Sequence, residues 1–458
     1  MANAARSQAA PQLARDLGAS HATAIVVGTI IGSCIFLVPS EMMQAVGSAK
    51  LVYLAWFVGG LLSFFGALTY AELGAMKPQA GGEYIYVRDA YGPLGGFLYA
   101  WTTVLISKPA SIATVTTGFV RILGTFPLFA FFSAPILTRP LTITWGHLAA
   151  IAAAALISFL NYIGVKKAGE FQLIFTLLKV AIILGTVAVC FGFHGGAGWR
   201  NFATTFTGAK GGIAGFMAAL VAALWAYDGW NDLNMVAGEV RDPQRNIPIA
   251  LIVGVAMVGA LYVLMNAAVQ YVLPASVIAL SPRPAAAAIA LVAGSLGASV
   301  ISAGMALSML VTLNGTTTSG GRIPYAAARD GYFFSSVARV HPRFRTPSGA
   351  IVLQFRLAAT LLLLGGSFRQ LFTLAIFAEW LFYLITASTV FVFRRREPNA
   401  PRPYRVWGYP AVPVLFVLAS SVLLYYTFTD NLWNSAAGSL LIAAGVPVFY
   451  SFRRRRFA

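Results

Sequence analysis

Long apolar stretches recur along this chain, and they constrain its fold more strongly than any other feature. A helix needs about 20 apolar residues to cross the roughly 30 Å hydrocarbon core of a bilayer, because each backbone group there must be hydrogen-bonded within the protein. Hydrophobic residues make up 58% of the 458 residues and charged residues only 10%, which excludes a soluble protein of this size. The sequence therefore predicts an all-α polytopic membrane protein with twelve transmembrane helices. The predicted spans are 21–46, 51–74, 94–122, 143–162, 170–193, 212–237, 247–273, 288–318, 349–366, 370–392, 411–428 and 434–451.

The basic residues determine the predicted orientation. The formal net charge is +18, which in a soluble protein would suggest nucleic acid binding. Here most lysines and arginines fall in short loops that share one side of the membrane when both termini are cytoplasmic, and this bias fits the positive-inside rule. We therefore predict a multi-pass protein of the plasma (inner) membrane with both termini cytoplasmic. No cleaved signal peptide and no nucleic acid partner are predicted.

The first span contains the stretch GTIIGSCIFLVPSEMM, which is a poor sequence for an unbroken helix. Gly28 and Gly32 have the G-x-x-x-G spacing that lets two membrane helices pack closely. Close packing does not account for Ser33, Cys34 and Pro39, because glycine makes unwinding inexpensive and proline removes a backbone donor. We therefore predict that the helix is interrupted near the middle of the membrane.

The sixth span has a similar interruption at Asp228 and Gly229, in AALWAYDGWNDLNMVAGEV. Two interrupted helices, each opening a five-span half, are typical of transporters built from inverted repeats. A break leaves free N–H groups where the second half-helix starts, and these suit a carboxylate. It leaves free C=O groups where the first half-helix ends, and these suit an ammonium. A zwitterionic amino acid carries both groups on one carbon. The pattern therefore favours an amino acid carrier.

Several blocks of the sequence resemble the L-type amino acid transporters of the amino acid–polyamine–organocation (APC) superfamily. The blocks are GTIIGSCIF, LISKPASIATVTTGF, FQLIFTLLKV, LWAYDGWND with GEVRDPQRNIP, and LNGTTTSGGRIPYAAARDGYF. They occur in the family's order over most of residues 21–350. The resemblance implies a LeuT-type fold, in which two inverted five-helix repeats have discontinuous helices 1 and 6 and are followed by two further helices. The implied divisions are a cytoplasmic segment 1–20, repeats 21–193 and 212–392, helices 11 and 12 in 411–451, and a cytoplasmic tail 452–458.

The resemblance also implies where an amino acid would bind. The substrate carboxylate would meet the backbone N–H groups of Gly32, Ser33 and Cys34. The ammonium would meet the carbonyls of both breaks, at Ile30, Trp225, Ala226 and Asp228. Trp225 lies where the family usually has an aromatic gate over the substrate, and Asn231 matches a polar family position beyond the second break. Cys34 departs from the family, which usually has glycine there, and its side chain would narrow the pocket.

Three further residues are candidates for gating or coupling. Lys179 lies midway along the fifth span and should face a partner in the protein interior; in the family a lysine here substitutes for the sodium ion of sodium-coupled relatives. Asp228 is either a proton carrier or a locally paired carboxylate, and Glu379 in the tenth span is either a gate or proton site or simply paired. Tyr227 flanks the second break. Lys108, beside Pro109, is assigned a structural rather than a functional role.

The leading hypothesis is a sodium-independent L-amino acid transporter, an exchanger or facilitator for neutral amino acids that works by alternating access. The alternative is a proton-coupled symporter for amino acids or polyamines. An enzyme is not expected, because the four histidines are scattered and no catalytic set converges within the spans. No metal and no cofactor are predicted.

A heavy subunit is also not expected. In animal relatives, a cysteine in the extracellular loop between helices 3 and 4 links the carrier to a glycoprotein heavy chain. The corresponding loop here, GTFPLFAFFSAPILTRP, contains no cysteine. We therefore predict no disulfide-linked heavy subunit, as in bacterial-type members; the predicted partners are the amino acid substrate and the lipid bilayer.

Overall fold

The structure is a computed structural model that describes residues 12–138, 142–364, 368–430 and 432–457. Residues 1–11 of the predicted N-terminal segment, Ala458 of the tail, Arg139 and Pro140 of the predicted extracellular loop, and the end of the ninth predicted span lie outside these described residues.

Helices form nearly all of the secondary structure, because an apolar chain in lipid must satisfy its backbone groups locally. The helices are α1 (Ala19–Ile30), α2 (Cys34–Val46), α3 (Ala49–Met76), α4 (Glu83–Tyr91), α5 (Pro93–Thr102), α6 (Lys108–Leu123), α7 (Trp145–Tyr162), α8 (Val165–Phe191), α9 (Gly212–Ala226), α10 (Asp232–Met235), α11 (Pro243–Val272), α12 (Ala275–Leu280), α13 (Pro284–Gly320), α14 (Arg322–Arg329), α15 (Ser348–Leu363), α16 (Phe368–Arg396), α17 (Ala411–Asp430), α18 (Leu432–Ala443) and α19 (Gly445–Phe457). A π-helical turn at Thr103–Ser107 joins α5 to α6, and 3₁₀ turns lie at Pro127–Ser133, Gly198–Ala203, Ala237–Glu239 and Ser335–Ala338. Strands β1 (Pro135–Leu137) and β2 (Ile143–Thr144) pair antiparallel between α6 and α7.

Eight segments of the described chain are long and apolar enough to cross a membrane, so the protein is a largely helical, multi-span membrane protein. Helices also occupy the other four predicted spans, but none of these spans is a single long apolar helix. α9 and α15 are short, the π-helical turn interrupts the third predicted span, and α16 contains Glu379 and four arginines. The total of twelve spans stays a prediction.

The interrupted first span lies at the centre of the helix bundle. Most residues of α1 and α2 are buried, whereas few residues of α17 are. α1 packs against α8, α11 and α13, and α2 packs against α9 and α12. Any chemistry at the break is therefore shielded from lipid on all of these sides.

Candidate functional site

The first predicted span consists of two helices joined by a short non-helical segment. α1 ends at Ile30, and Ile31 leaves the helical region with ψ at 86°. The Gly32 N–H donates to the Ile30 carbonyl over 2.8 Å, so this group is used within the turn. Ser33 and Cys34 open α2, where the first N–H groups have no carbonyl partner within the helix. The N–H groups that this break offers to a ligand are therefore those of Ser33 and Cys34.

The two glycines of this span have different roles. A Cβ on Gly28 would collide with Thr176 Oγ1 and Gln172 Nε2 on α8, so Gly28 allows close helix packing. A Cβ on Gly32 would meet Thr312 Oγ1 at 3.5 Å, an ordinary contact. Both interpretations of the G-x-x-x-G pattern therefore apply, packing at Gly28 and chain interruption at Gly32.

The sixth predicted span is interrupted between Ala226, the last residue of α9, and Asp232, the first residue of α10. Gly229 has φ at +106°, a conformation that side chains rarely adopt. A Cβ on Gly229 would lie 2.9 Å from Thr29 Cγ2 and 3.3 Å from the Thr29 carbonyl carbon. Glycine at this position therefore lets the two interrupted helices touch.

Lys179 joins the first break to two neighbouring helices. Lys179 is 2% exposed, and its ammonium donates to the carbonyls of Gly28 at 2.9 Å, Ile31 at 2.6 Å and Ser308 at 3.3 Å. The Ser308 hydroxyl also donates to the Ile31 carbonyl, at 2.8 Å. The carbonyls that the unwound helix cannot pair are thus satisfied by a cation from α8 and a hydroxyl from α13.

Tyr262 on α11 joins the two breaks to each other. Its hydroxyl lies 3.0 Å from the Ile30 carbonyl oxygen and 2.8 Å from the Ala226 carbonyl oxygen. These are the last carbonyls of α1 and α9. A tyrosine hydroxyl has one hydrogen, so it donates to one of these carbonyls at a time.

One cavity of about 110 Å³ lies between the two breaks. The first break contributes backbone and side-chain atoms at the start of α2, and the second contributes Trp225 and the segment after it. Residues of α6, α13 and α16 complete the lining. The lining residues are Thr29, Ile30, Gly32, Ser33, Cys34, Lys108, Ser111, Thr114, Val115, Trp225, Asp228, Gly229, Asp232, Met309, Thr312, Thr316 and Glu379.

Acidic groups lie around the second break. The Lys108 ammonium is 2.5 Å from Asp232 Oδ1, and Asp228 and Glu379 line the same cavity. The Tyr383 hydroxyl is 2.6 Å from Asp228 Oδ1 and 2.9 Å from the side-chain oxygen of Asn231. Within the described chain, no group of three or more His, Cys, Asp or Glu residues could hold a metal ion.

This hydrogen-bonded network continues to Glu83, at the start of α4. The Asn231 amide donates to Glu83 Oε1 at 2.7 Å, and the Tyr99 hydroxyl donates to Glu83 Oε2 at 2.9 Å. Glu83 is 1% exposed. The short helix after the second predicted span is thereby tied to the second break.

Comparison with known proteins decides the family. The model of the family described as "Amino acid permease" matches residues 17–451, nearly the whole chain. The chain belongs to the amino acid permease family. The permease is accordingly a membrane transporter of amino acids and not an enzyme, and the resemblance to L-type members of the APC superfamily is confirmed.

Individual relatives match the permease over almost its full length. The serine/threonine exchanger SteT of Bacillus subtilis (strain 168) is 31% identical, over 97% of this chain and 98% of the relative. The b(0,+)-type amino acid transporter 1 of Homo sapiens is 32% identical, over 97% and 89%. The large neutral amino acids transporter small subunit 2 of Oryctolagus cuniculus is 32% identical, over 96% and 80%.

Most of the residues predicted for substrate binding in the permease lie on one cavity, but four predicted site residues do not line it. The Ala226 carbonyl accepts a hydrogen bond from Tyr262, and the Asn231 amide donates to Glu83. Lys179 supports the first break from behind. The Tyr227 ring is buried and packs edge-to-face against the Trp56 ring, so the structure does not bring it to the cavity.

Sequence reasoning missed several residues of this site. Lys108, assigned a structural role, lines the cavity and pairs with Asp232. The sequence did contain a signal for this pair: Lys108 and Asp232 lie in two separate spans, and a charged side chain within the membrane needs a partner. Glu83 and Tyr262 had no such signal, since one lies in a predicted loop and the other in an ordinary apolar run.

Proposed function

We propose that the permease is a sodium-independent carrier for small neutral L-amino acids, an exchanger or facilitator that works by alternating access. The observation that carries this proposal is that residues of both helix breaks line one cavity. Ser33 and Cys34 offer backbone N–H groups at a positive helix end, where a carboxylate is favoured. The α1 and α9 carbonyl ends lie opposite and suit an ammonium.

Two further observations support neutral, small substrates. The cavity has a volume of about 110 Å³, less than the roughly 150 Å³ of an engineered protein cavity that binds benzene, and this favours small substrates. Cys34 lines this cavity, as expected if it narrows the pocket. One relative's name specifies serine and threonine and another's large neutral amino acids.

Independence from sodium is proposed from the position of Lys179. Its ammonium already contacts three buried carbonyl oxygens around the first break. A second cation among the same oxygens would be repelled by this charge. The Lys179 ammonium therefore takes the place of a bound cation at the break, and transport needs no sodium ion.

The membrane arrangement is part of the same proposal. We propose twelve spans with the inverted-repeat divisions 21–193 and 212–392, helices 11 and 12 in 411–451, and both termini in the cytoplasm of a cell with a plasma (inner) membrane. We also propose that the carrier acts without a disulfide-linked heavy subunit. Labelling of single cysteines introduced in the loops tests the orientation, and activity of the purified chain alone tests the subunit proposal.

Counterflow in liposomes tests the transport mode. Purified permease is reconstituted into vesicles loaded with unlabelled serine, and entry of labelled serine is followed with sodium or choline as the external cation. The proposal predicts equal uptake in both solutions, and no uptake into protein-free vesicles. Uptake that stops when sodium is removed contradicts the role given to Lys179.

A proton-coupled symporter is the second candidate, favoured by the presence of two acidic side chains, Asp228 and Glu379, on one cavity. Two carboxylates that share a site disfavour each other's ionisation, so one of them can carry a proton. Uptake into unloaded vesicles distinguishes the candidates. Accumulation driven by an inward proton gradient favours the symporter, whereas exchange that ignores the gradient favours the exchanger.

A further inference from the structure

A second cavity, of about 320 Å³, lies at the C-terminal end of α6. The 3₁₀ turn Pro127–Ser133, the start of α7 and the end of α15 complete its walls, and it shares no lining residue with the cavity between the breaks. Its volume falls within the range of roughly 300–1,000 Å³ that is common for ligand sites. The polar side chains that line it belong to Thr117, Arg121, Thr125, Ser133, Thr144 and His147.

The positive charge at this cavity is not balanced by acidic residues. The sequence has no aspartate or glutamate from residue 90 to residue 169, a stretch that includes α6 and the whole of α7, and α15 has none either. Arg121 is exposed and has no acidic partner among the residues that the structure describes. Arg283 donates to the Thr125 hydroxyl at 3.3 Å and so brings a second guanidinium to the site. A concave surface with charge of one sign attracts ligands of the opposite sign, so the cavity suits an anion.

His147 adds a hydrogen-bond donor to this wall. The Thr144 backbone N–H donates to His147 Nδ1 at 3.0 Å, as part of the capping box that starts α7. Because Nδ1 accepts this bond, the hydrogen of the neutral ring lies on Nε2. Within the described part of the chain nothing is bonded to Nε2, so this donor is available to an oxygen of a ligand.

The remaining lining of the cavity is largely apolar. Val120 on α6, Ala150 on α7 and Leu362 on α15 are buried, and the Phe132 ring packs against the cluster that they form. A small inorganic anion gains nothing from such a lining. A ligand that joins an anionic group to hydrocarbon gains from both parts of the cavity.

An exposed apolar stripe begins on α7 beside the cavity. Its residues recur every three or four positions and therefore lie on one face of the helix. The Trp145 ring at the start of the stripe contacts the exposed Phe131 ring, and aromatic rings of this kind mark the interface between a membrane and water. The stripe is thus placed to contact acyl chains, with His147 in the first turn of the same helix. The stripe consists of Trp145, Leu148, Ala152, Leu156 and Phe159.

We propose that this cavity binds the phosphate group of an anionic phospholipid, through the Arg121 guanidinium and His147 Nε2, while the acyl chains lie along the exposed stripe of α7. In the proposed orientation this lipid belongs to the outer leaflet. A free amino acid fits less well, because no carboxylate on the cavity can hold its ammonium. A zwitterionic lipid also fits less well, because Arg121 and Arg283 repel its cationic headgroup.

Lipid titration of the wild-type permease tests the inference without any mutation. The purified full chain in detergent is titrated with phosphatidylglycerol or with phosphatidylcholine of the same acyl chains, and bound lipid is counted by native mass spectrometry. The first phosphatidylglycerol is expected to bind about fivefold more tightly or better, as one basic side chain near anionic lipid provides. Equal affinity for the two lipids overturns the inference.

Substitution of Arg121 identifies the site. Arg121→Gln should lower the preference for phosphatidylglycerol about fivefold, whereas Arg121→Lys keeps the charge and should retain most of it. Arg200→Gln is the matched control, because Arg200 is exposed in the 3₁₀ turn Gly198–Ala203 and does not line the cavity. An unchanged preference in Arg121→Gln overturns the assignment to this cavity.

Inorganic phosphate distinguishes a lipid headgroup from a free anion. It is added to the permease with bound phosphatidylglycerol, with chloride at the same ionic strength as the reference. We expect the lipid to remain bound equally in both solutions, because free phosphate gains nothing from the apolar lining. Displacement by phosphate alone overturns the lipid assignment in favour of a free-anion site. Lipid binding is measured without transport, so its failure leaves the proposed amino acid carrier untouched.

Discussion

The Lys179 ammonium lies 2.6 Å from the Ile31 carbonyl oxygen, 148 residues away along the chain. This contact places a positive charge at the point where the first span has lost its own hydrogen bonds. A residue in one helix thereby supports the unwound conformation of another, and the binding cavity depends on both.

Removing this charge should abolish most transport. Lys179→Met keeps a long side chain but leaves the Gly28 and Ile31 carbonyls without their charged donor, and such hydrogen bonds contribute about 1.5–3 kcal/mol each. We expect serine counterflow to fall at least tenfold. Lys166→Met is the control, because the Lys166 side chain is 65% exposed on the same helix. Wild-type rates in Lys179→Met would contradict the role of the ammonium.

Tyr262→Phe should weaken substrate binding without unfolding the protein. The change removes the hydroxyl that joins the Ile30 and Ala226 carbonyls, and a neutral hydrogen bond contributes about 0.5–1.5 kcal/mol. We expect KM for serine to rise about two- to tenfold, because the two helix ends are no longer held at a fixed separation. Tyr53→Phe is the control, since the Tyr53 hydroxyl has no partner within the described chain. A KM that stays at the wild-type value would show that this link does not matter for binding.

The buried pair of Arg322 and Glu239 should be needed for stability. Both side chains are 0% exposed, and their closest atoms are 2.7 Å apart. Arg322→Met leaves a buried carboxylate unpaired and should cost about 3–5 kcal/mol. The double variant with Glu239→Met should recover most of this loss, measured by thermal unfolding in detergent. A double variant as unstable as the single one would show that the pair is not the cause.

Glu83→Gln should change how stability depends on pH. Burial raises the pKa of Glu83 from 4.5 to about 7, although hydrogen bonds from Asn231 and Tyr99 oppose this. The folded protein thus keeps a proton that the unfolded chain loses, so wild-type stability falls as the pH rises from about 4.5 to about 7. Glutamine stays neutral, and the unfolding temperature of the variant minus that of the wild type should increase from pH 5 to pH 8. A difference that is the same at every pH would contradict this assignment; Glu397→Gln, at a side chain 40% exposed, is the control.

Cys34→Gly should widen the range of transported amino acids. The Cys34 side chain lines the cavity, and its removal leaves room for a larger substrate. Competition of unlabelled amino acids against serine uptake should show gains for leucine and phenylalanine, with Cys34→Ala intermediate. If the competition profile is unchanged, Cys34 does not set the size limit.

The two helix breaks could be predicted from the sequence because they violate local rules. Glycines and a downstream proline in the first span, and Asp228 beside Gly229 in the sixth, are costly in an unbroken membrane helix, and both interruptions are present in the structure. The charge of Lys179 likewise required an interior partner, and the structure supplies three carbonyls.

The residues that sequence reasoning missed act through distant partners. Tyr262 lies in an ordinary apolar run of the sequence. The two carbonyls that its hydroxyl contacts are 232 and 36 residues away, so no local pattern reveals them. Lys108 and Asp232 are 124 residues apart, and only the fold shows that they meet. Glu83 follows two glycines in a predicted loop, and tertiary packing rather than local pattern buries it.

The central claim is that the unpaired backbone of two interrupted helices holds the zwitterion. The most direct test is a cryo-EM structure of the permease with a transported amino acid bound. The account predicts the substrate carboxylate within hydrogen-bond distance of the Ser33 and Cys34 N–H groups, and its ammonium near the α1 and α9 carbonyl ends. An amino acid bound elsewhere, or continuous helix through residues 30–34 and 226–232, would contradict it.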